Sequence, residues 1–161
     1  MKLSSLALAA SLALGGTGAA FAAGGPLDLS TGSTGFSSTP VAGGFVDLFT
    51  FSLATTSVAN ASITSVVNGL QDIDFSFIAL TGPSGVFSFT QVLADPFETW
   101  ALSSVTLAPG AYTLSVIGLN SSAVASYGGN IGVTAIPEPQ TYALLLGGLI
   151  GMGFIARRRN A

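Results

Sequence analysis

From Phe45 onward, apolar and polar residues alternate in short runs, each closed by Gly, Pro, Asn or Asp. Alternation with a period of two marks strands whose successive side chains face opposite ways. Phe45–Leu53 places Phe45, Phe49, Phe51 and Leu53 on one parity, and Asp74–Leu80 is expected to alternate in the same way. Thr81-Gly82-Pro83-Ser84-Gly85 has turn chemistry, so Val86–Thr90 should fold back as the antiparallel partner of Asp74–Leu80. Ser57–Val67, Val105–Leu107, Tyr112–Val116 and Ile131–Ile136 bring the total to about seven strands, with turns at Ala108-Pro109-Gly110 and Tyr127-Gly128-Gly129-Asn130. No interior run has a helical period with caps. An all-β fold follows: an antiparallel β-sandwich, jelly-roll-like, with a closed barrel as the alternative.

Gly, Ser, Thr and Pro dominate residues 23–44, which read as an extended lead-in, so the β-sandwich domain is expected over 45–136. The two ends do not follow this pattern. Residues 1–22 combine Lys2, an apolar stretch from Leu3 to Leu14 and Ala20-Phe21-Ala22, the order of a secretory signal peptide cut between Ala22 and Ala23. At the other end, Pro137-Glu138-Pro139 precedes an uncharged apolar run, 141–156, and then Arg157-Arg158-Arg159. The prolines prevent helix and sheet ladders around Glu138, which leaves an extended, accessible peptide. As a helix the run would be about 24 Å long, short of the roughly 30 Å hydrocarbon core, so it is a marginal single transmembrane helix. The arginines stay cytoplasmic and place the body across the membrane, in agreement with the signal peptide.

Charge narrows the picture further. The four cations of this 161-residue chain are Lys2 and Arg157 to Arg159, so 23–136 holds none, whereas Asp28, Asp47, Asp72, Asp74, Asp95 and Glu98 all lie there. Salt bridges within the body are impossible, and nucleic acid is excluded as a partner because nothing can neutralise phosphate. With no Cys and no His, Ser-His and Cys-His nucleophile systems and the usual transition-metal ligands are absent as well. Paired carboxylates for glycoside hydrolysis would be the remaining acid/base chemistry, and solvated turn acids are the simpler reading, so no enzyme is expected. No cofactor is expected either; a calcium ion is what Asp72, Asp74, Asp95 and Glu98 could hold between them. Trp100 and Tyr127 are candidates for a sugar-stacking platform. Asn60-Ala61-Ser62 and Asn120-Ser121-Ser122 fit the N-glycosylation pattern.

Taken together, Pro137-Glu138-Pro139, the apolar run 141–156 and Arg157-Arg158-Arg159 resemble the PEP-CTERM sorting signal, here 137–161, of Gram-negative bacteria. Phe45-Val46-Asp47-Leu48-Phe49 resembles the F-x-D-x-F motif of one subfamily, and Leu107–Val116 and Ser126–Ile131 fit its later strands. Within that motif Phe45 and Phe49 are expected in the core and Asp47 outward, because carboxylates are rarely buried. The resemblance implies export through the inner membrane, a membrane-anchored precursor and an exosortase as partner, cutting near the proline–glutamate–proline triplet. It also implies a place at the cell surface or in an extracellular matrix, with polysaccharide or biofilm nearby. The expected function is therefore that of a surface structural protein, with a carbohydrate-binding module or adhesin as the alternative.

Overall fold

The computed structural model describes residues 24–122, 124–137 and 143–150, together with Met152 and Arg157. The expected signal peptide with Ala22 and Ala23, and Glu138, Pro139, Arg158 and Arg159 of the sorting signal, lie outside the described residues.

Among the described residues nine strands make up the body: β1 (Ser33–Ser38), β2 (Gly43–Leu53), β3 (Ser57–Ser65), β4 (Ile73–Gly82), β5 (Gly85–Ser88), β6 (Thr90–Leu93), β7 (Thr99–Leu107), β8 (Gly110–Asn120) and β9 (Tyr127–Ala135). They form a five-stranded sheet, β1-β9-β3-β7-β6, and a four-stranded sheet, β2-β8-β4-β5. Every pairing between these strands is antiparallel. The pairs nest: β4 with β5, β3 with β7, β2 with β8 and β1 with β9, as in one long hairpin folded over itself. The predicted β4–β5 hairpin is present, closed where Gly82 pairs with Gly85.

Alternation builds the core. Phe45, Phe49, Phe51, Leu114 and Val116 of the four-stranded sheet pack on Ala59, Ile63, Leu102 and Ile131 of the other. Each large side chain buried in this way contributes about 1.5–3 kcal/mol. At the far end of the sandwich the buried Tyr112 donates from its hydroxyl to the Ala108 carbonyl at 2.8 Å and lies 2.8 Å from Ser84 Oγ, tying two turns together.

Four expectations change. The lead-in carries β1, whose Phe36 is 8 % exposed, and its start, Gly25–Leu27, lies along β2, so the folded part begins well before Phe45. Tyr127–Asn130 is no turn but the start of β9. Its glycines make room for neighbours: a Cβ on Gly129 would stand 2.5 Å from the Phe36 ring and 2.6 Å from the Ser62 carbonyl. In β4 a bulge between Phe75 and Phe77 breaks the alternation, so Ile73 and Phe75, then Ile78 and Leu80, face inward and Phe77 is turned out. Asp47, expected outward, is fully buried. It stands two residues from both Phe45 and Phe49, and the pleat puts all three on one face; this geometry prevails over the general preference of carboxylates for solvent.

Residues 143–150 form a helix. Its leucines are exposed, Leu144 at 78 % and Leu145 at 61 %. Among the described residues no helix is long and apolar enough to cross a membrane.

Candidate functional site

The body's polar chemistry is concentrated at one end of the sandwich. Gly43 and Ile73 both pair with Asn120, Ser38 and Ser65 both pair with Tyr127, and Thr64 pairs with Thr99. These registers bring 39–42, 66–72, 94–98, 121–122 and 124–126 to the same end. They are stitched together: Val67 N–H donates to Pro96 O at 3.0 Å, Ser65 N–H to Glu98 O at 2.9 Å, and Ser121 Oγ to Leu70 O at 2.8 Å.

Of the four acids expected to act together, three lie side by side. Ligand oxygens of Asp72, Asp74 and Asp95 lie within 4.8 Å of one another. Asp72 Oδ1 is buried and has no hydrogen-bond donor among the described residues. Burial raises the Asp72 pKa above the ordinary carboxylate value, and the charges of Asp74 and Asp95 raise it further. Among the described residues of a body without a single cation, nothing of opposite sign balances these three charges.

Glu98 turns inward instead and is 4 % exposed. It accepts from Phe75 N–H at 3.0 Å, Gln91 Nε2 at 3.0 Å and Trp100 Nε1 at 2.8 Å. Burial is the main cause of its raised pKa, and the hydrogen bonds from Trp100 and Phe75 offset it in part. The sequence hint for this role was the spacing of two between Glu98 and Trp100, which puts both on one face of β7's entry.

Below this end lies the buried pair of the F-x-D-x-F segment. The Tyr127 hydroxyl donates to Asp47 Oδ2 at 2.5 Å, joining the two sheets, while Asp47 Oδ1 has no partner among the described residues. The Tyr127 ring stacks on Phe45 at 5.9 Å and meets Phe75 edge-on at 5.4 Å. Its pKa is pushed far up, first by burial and then by the hydrogen bond and charge of Asp47. The expected two-ring sugar platform is therefore not formed: Tyr127 is 3 % exposed, and Trp100, half-buried, packs on the core with its N–H committed to Glu98.

A groove of about 520 Å³ beside the acids is lined by neutral groups, among them Thr64, Asn68, Gln71 and Ser126. None of Asp72, Asp74 and Asp95 lines it or the groove at the opposite end, where Asp28 is the lone acid. A carboxylate pair facing a substrate across either groove is thus not formed. Of the two glycosylation-type sites, Asn60 is exposed on β3. Asn120 is 3 % exposed and donates from Nδ2 to Pro40 O at 2.6 Å, so its amide is already engaged.

No family model matches the chain, and no curated protein matches it. Among solved structures it is similar to the pre-peptidase C-terminal domain of a collagenase from Bacillus anthracis, at 13% identity and a TM-score of 0.40, over 74% of this chain and 99% of that one. It is also similar to PliG, a periplasmic inhibitor of g-type lysozyme from Aeromonas hydrophila, at 13% identity and a TM-score of 0.42, over 71% of this chain and 100% of that one. At these values neither likeness bears on what the chain does.

Proposed function

We propose that this chain is an exported structural protein of the cell surface or extracellular matrix, with a jelly-roll-type body and a C-terminal address that an exosortase removes. Residues 1–22 direct export, 141–156 hold the precursor in the membrane, and Pro137-Glu138-Pro139 offers the cleavage point before Arg157, Arg158 and Arg159. The observation that carries this reading is the exposed apolar helix at 143–150, which adds nothing to the core although its side chains are leucine-rich. A helix apolar all round belongs in apolar surroundings. The nested strand pairing supports the jelly-roll reading, and the exposed Pro137 after the last strand supports access by a protease. The mass of the protein extracted from the cell surface tests the proposal, since a removed address leaves a C-terminus near Pro137.

A second reading concerns calcium at Asp72, Asp74 and Asp95, supported by the orphaned, buried Oδ1 of Asp72. Hard oxygen donors suit this ion, and extracellular sites bind it with Kd up to about 1 mM. At about 10 mM calcium such a site would stabilise the fold by about 1.4 kcal/mol, a rise in Tm of about 5 °C. Asp74→Asn should abolish most of that rise. An unchanged Tm, or the same rise in the variant, would remove calcium from the account.

A further inference from the structure

We propose that the free edge of β1 is a self-association surface, where two copies of the chain pair antiparallel to make one continuous sheet. The proposal is independent of how the chain is sorted.

An unpaired strand edge presents a row of free N–H and C=O groups, and proteins usually blunt such edges with Lys, Pro, bulges, short strands or a covering segment. Lysine is not available in a body without cations. The other edges are nonetheless managed. That of β2 is covered by Gly25–Leu27, with Leu27 N–H donating to Thr50 O at 2.7 Å and Thr50 N–H to Gly25 O at 3.1 Å. β6 has a register shift between Gln91 and Leu93, and β5 is only 4 residues long.

β1 has none of these protections among the described residues. Its six residues pair with β9 without a break, from Ser33 opposite Gly132 to Ser38 opposite Tyr127. Val133 N–H donates to Gly32 O at 2.7 Å, which sets the phase of the ladder. Alternate residues of an antiparallel strand point their backbone groups to opposite sides. Ser33, Gly35 and Ser37 therefore aim theirs away from β9. Their carbonyls meet only local hydroxyls: Thr31 Oγ1 donates to Ser33 O at 3.2 Å and Thr34 Oγ1 to Gly35 O at 3.4 Å.

Self-complementarity and charge select a second copy as the occupant. An antiparallel pair centred on Gly35 uses all three outward residues and has a two-fold axis, so each copy offers the same patch. No ionisable side chain lies between Asp28 and Asp47. The acids gather where β7 begins, three strands away in the order β1-β9-β3-β7. In the joined sheet the two β7 strands would be about 34 Å apart at about 4.8 Å per strand, several times the Debye length of about 8 Å in physiological salt. This is the edge along which two copies meet with least repulsion.

The chain has no cysteine, so single cysteines report the pairing directly. Across such a pair Gly35 faces its own symmetry mate with Cα atoms about 5.5 Å apart, within disulfide range. A Cβ at Gly35 would make ordinary contact, 3.7 Å from Gly129 O, so Gly35→Cys should fold. In the full-length chain in detergent, Gly35→Cys should oxidise mostly to a disulfide dimer. A mixture of Ser33→Cys and Ser37→Cys should give the mixed dimer, while Ser37→Cys alone stays monomeric. Thr106→Cys, exposed on β7, controls for association through the C-terminal helix. The proposal is overturned if Gly35→Cys dimerises no more than Thr106→Cys, or if Ser37→Cys alone cross-links as readily as the mixture.

Discussion

Tyr127→Phe is expected to destabilise the body by about 3 kcal/mol, and Asp47→Val by about 2 kcal/mol, yet the double variant should come within about 1 kcal/mol of the parent. Asp47 is fully buried, and among the described residues the Tyr127 hydroxyl is the one donor it has. Removing the phenol hydroxyl leaves a carboxyl group in the core with no donor, which costs more than a lost neutral hydrogen bond. Removing the carboxyl deprives the Tyr127 hydroxyl of its acceptor beside Phe45 and Phe75 and leaves it the Ser38 side chain as partner. Removing both leaves an apolar contact of similar shape, with valine suited to a strand. Urea unfolding of the four proteins completes the cycle, and the predicted signature is strong non-additivity. Additive losses would mean that the pair does not act as a unit, and that the F-x-D-x-F aspartate is held by something other than Tyr127.

The second large effect is on pH. In Asp72 and Glu98 the folded-state pKa lies above the unfolded value. Protons therefore favour the folded form; this contribution is complete below the unfolded carboxylate pKa of about 4 and is lost as pH rises through the folded value. Asp28 acts oppositely: its pKa is lowered by the Ser30 N–H, so its contribution is lost as pH falls, but it is fully exposed and its effect is screened. Most proteins lose ion pairs and accumulate positive charge in acid. This body has no cation to do either, and its like charges vanish instead. Tm should therefore rise from about pH 8 to about pH 4, and Asp72→Asn should flatten part of the slope. A Tm that peaks near neutrality and falls in acid would contradict this.

Much of the architecture was legible because period-two alternation is a local signal. β2, the β4–β5 hairpin and the turn before β8 could all be read from it. β1 could not, because Ser33, Thr34, Gly35, Ser37 and Ser38 look like linker and only Phe36 commits the strand to the core. β9 was obscured for a related reason: Gly128 and Gly129 have turn chemistry, but their smallness serves the Phe36 ring from the neighbouring strand, a contact no local pattern contains. The bulge in β4 reverses a parity that the letters alone carry straight through. At the candidate site the acids were nameable but their fates were not. Asp95 reaches Asp72 and Asp74 only through the fold. Glu98 leaves the group because Phe75, Gln91 and Trp100 supply donors from three strands.

The central claim, that the C-terminal segment is an address and not part of the working protein, can be tested by intact-mass and C-terminal peptide analysis of the protein extracted from the surface of its own cells. A C-terminus close to Pro137, with no peptide containing Arg157 to Arg159, is the predicted result. A surface pool that retains Arg159 would contradict it and make the segment a lasting anchor.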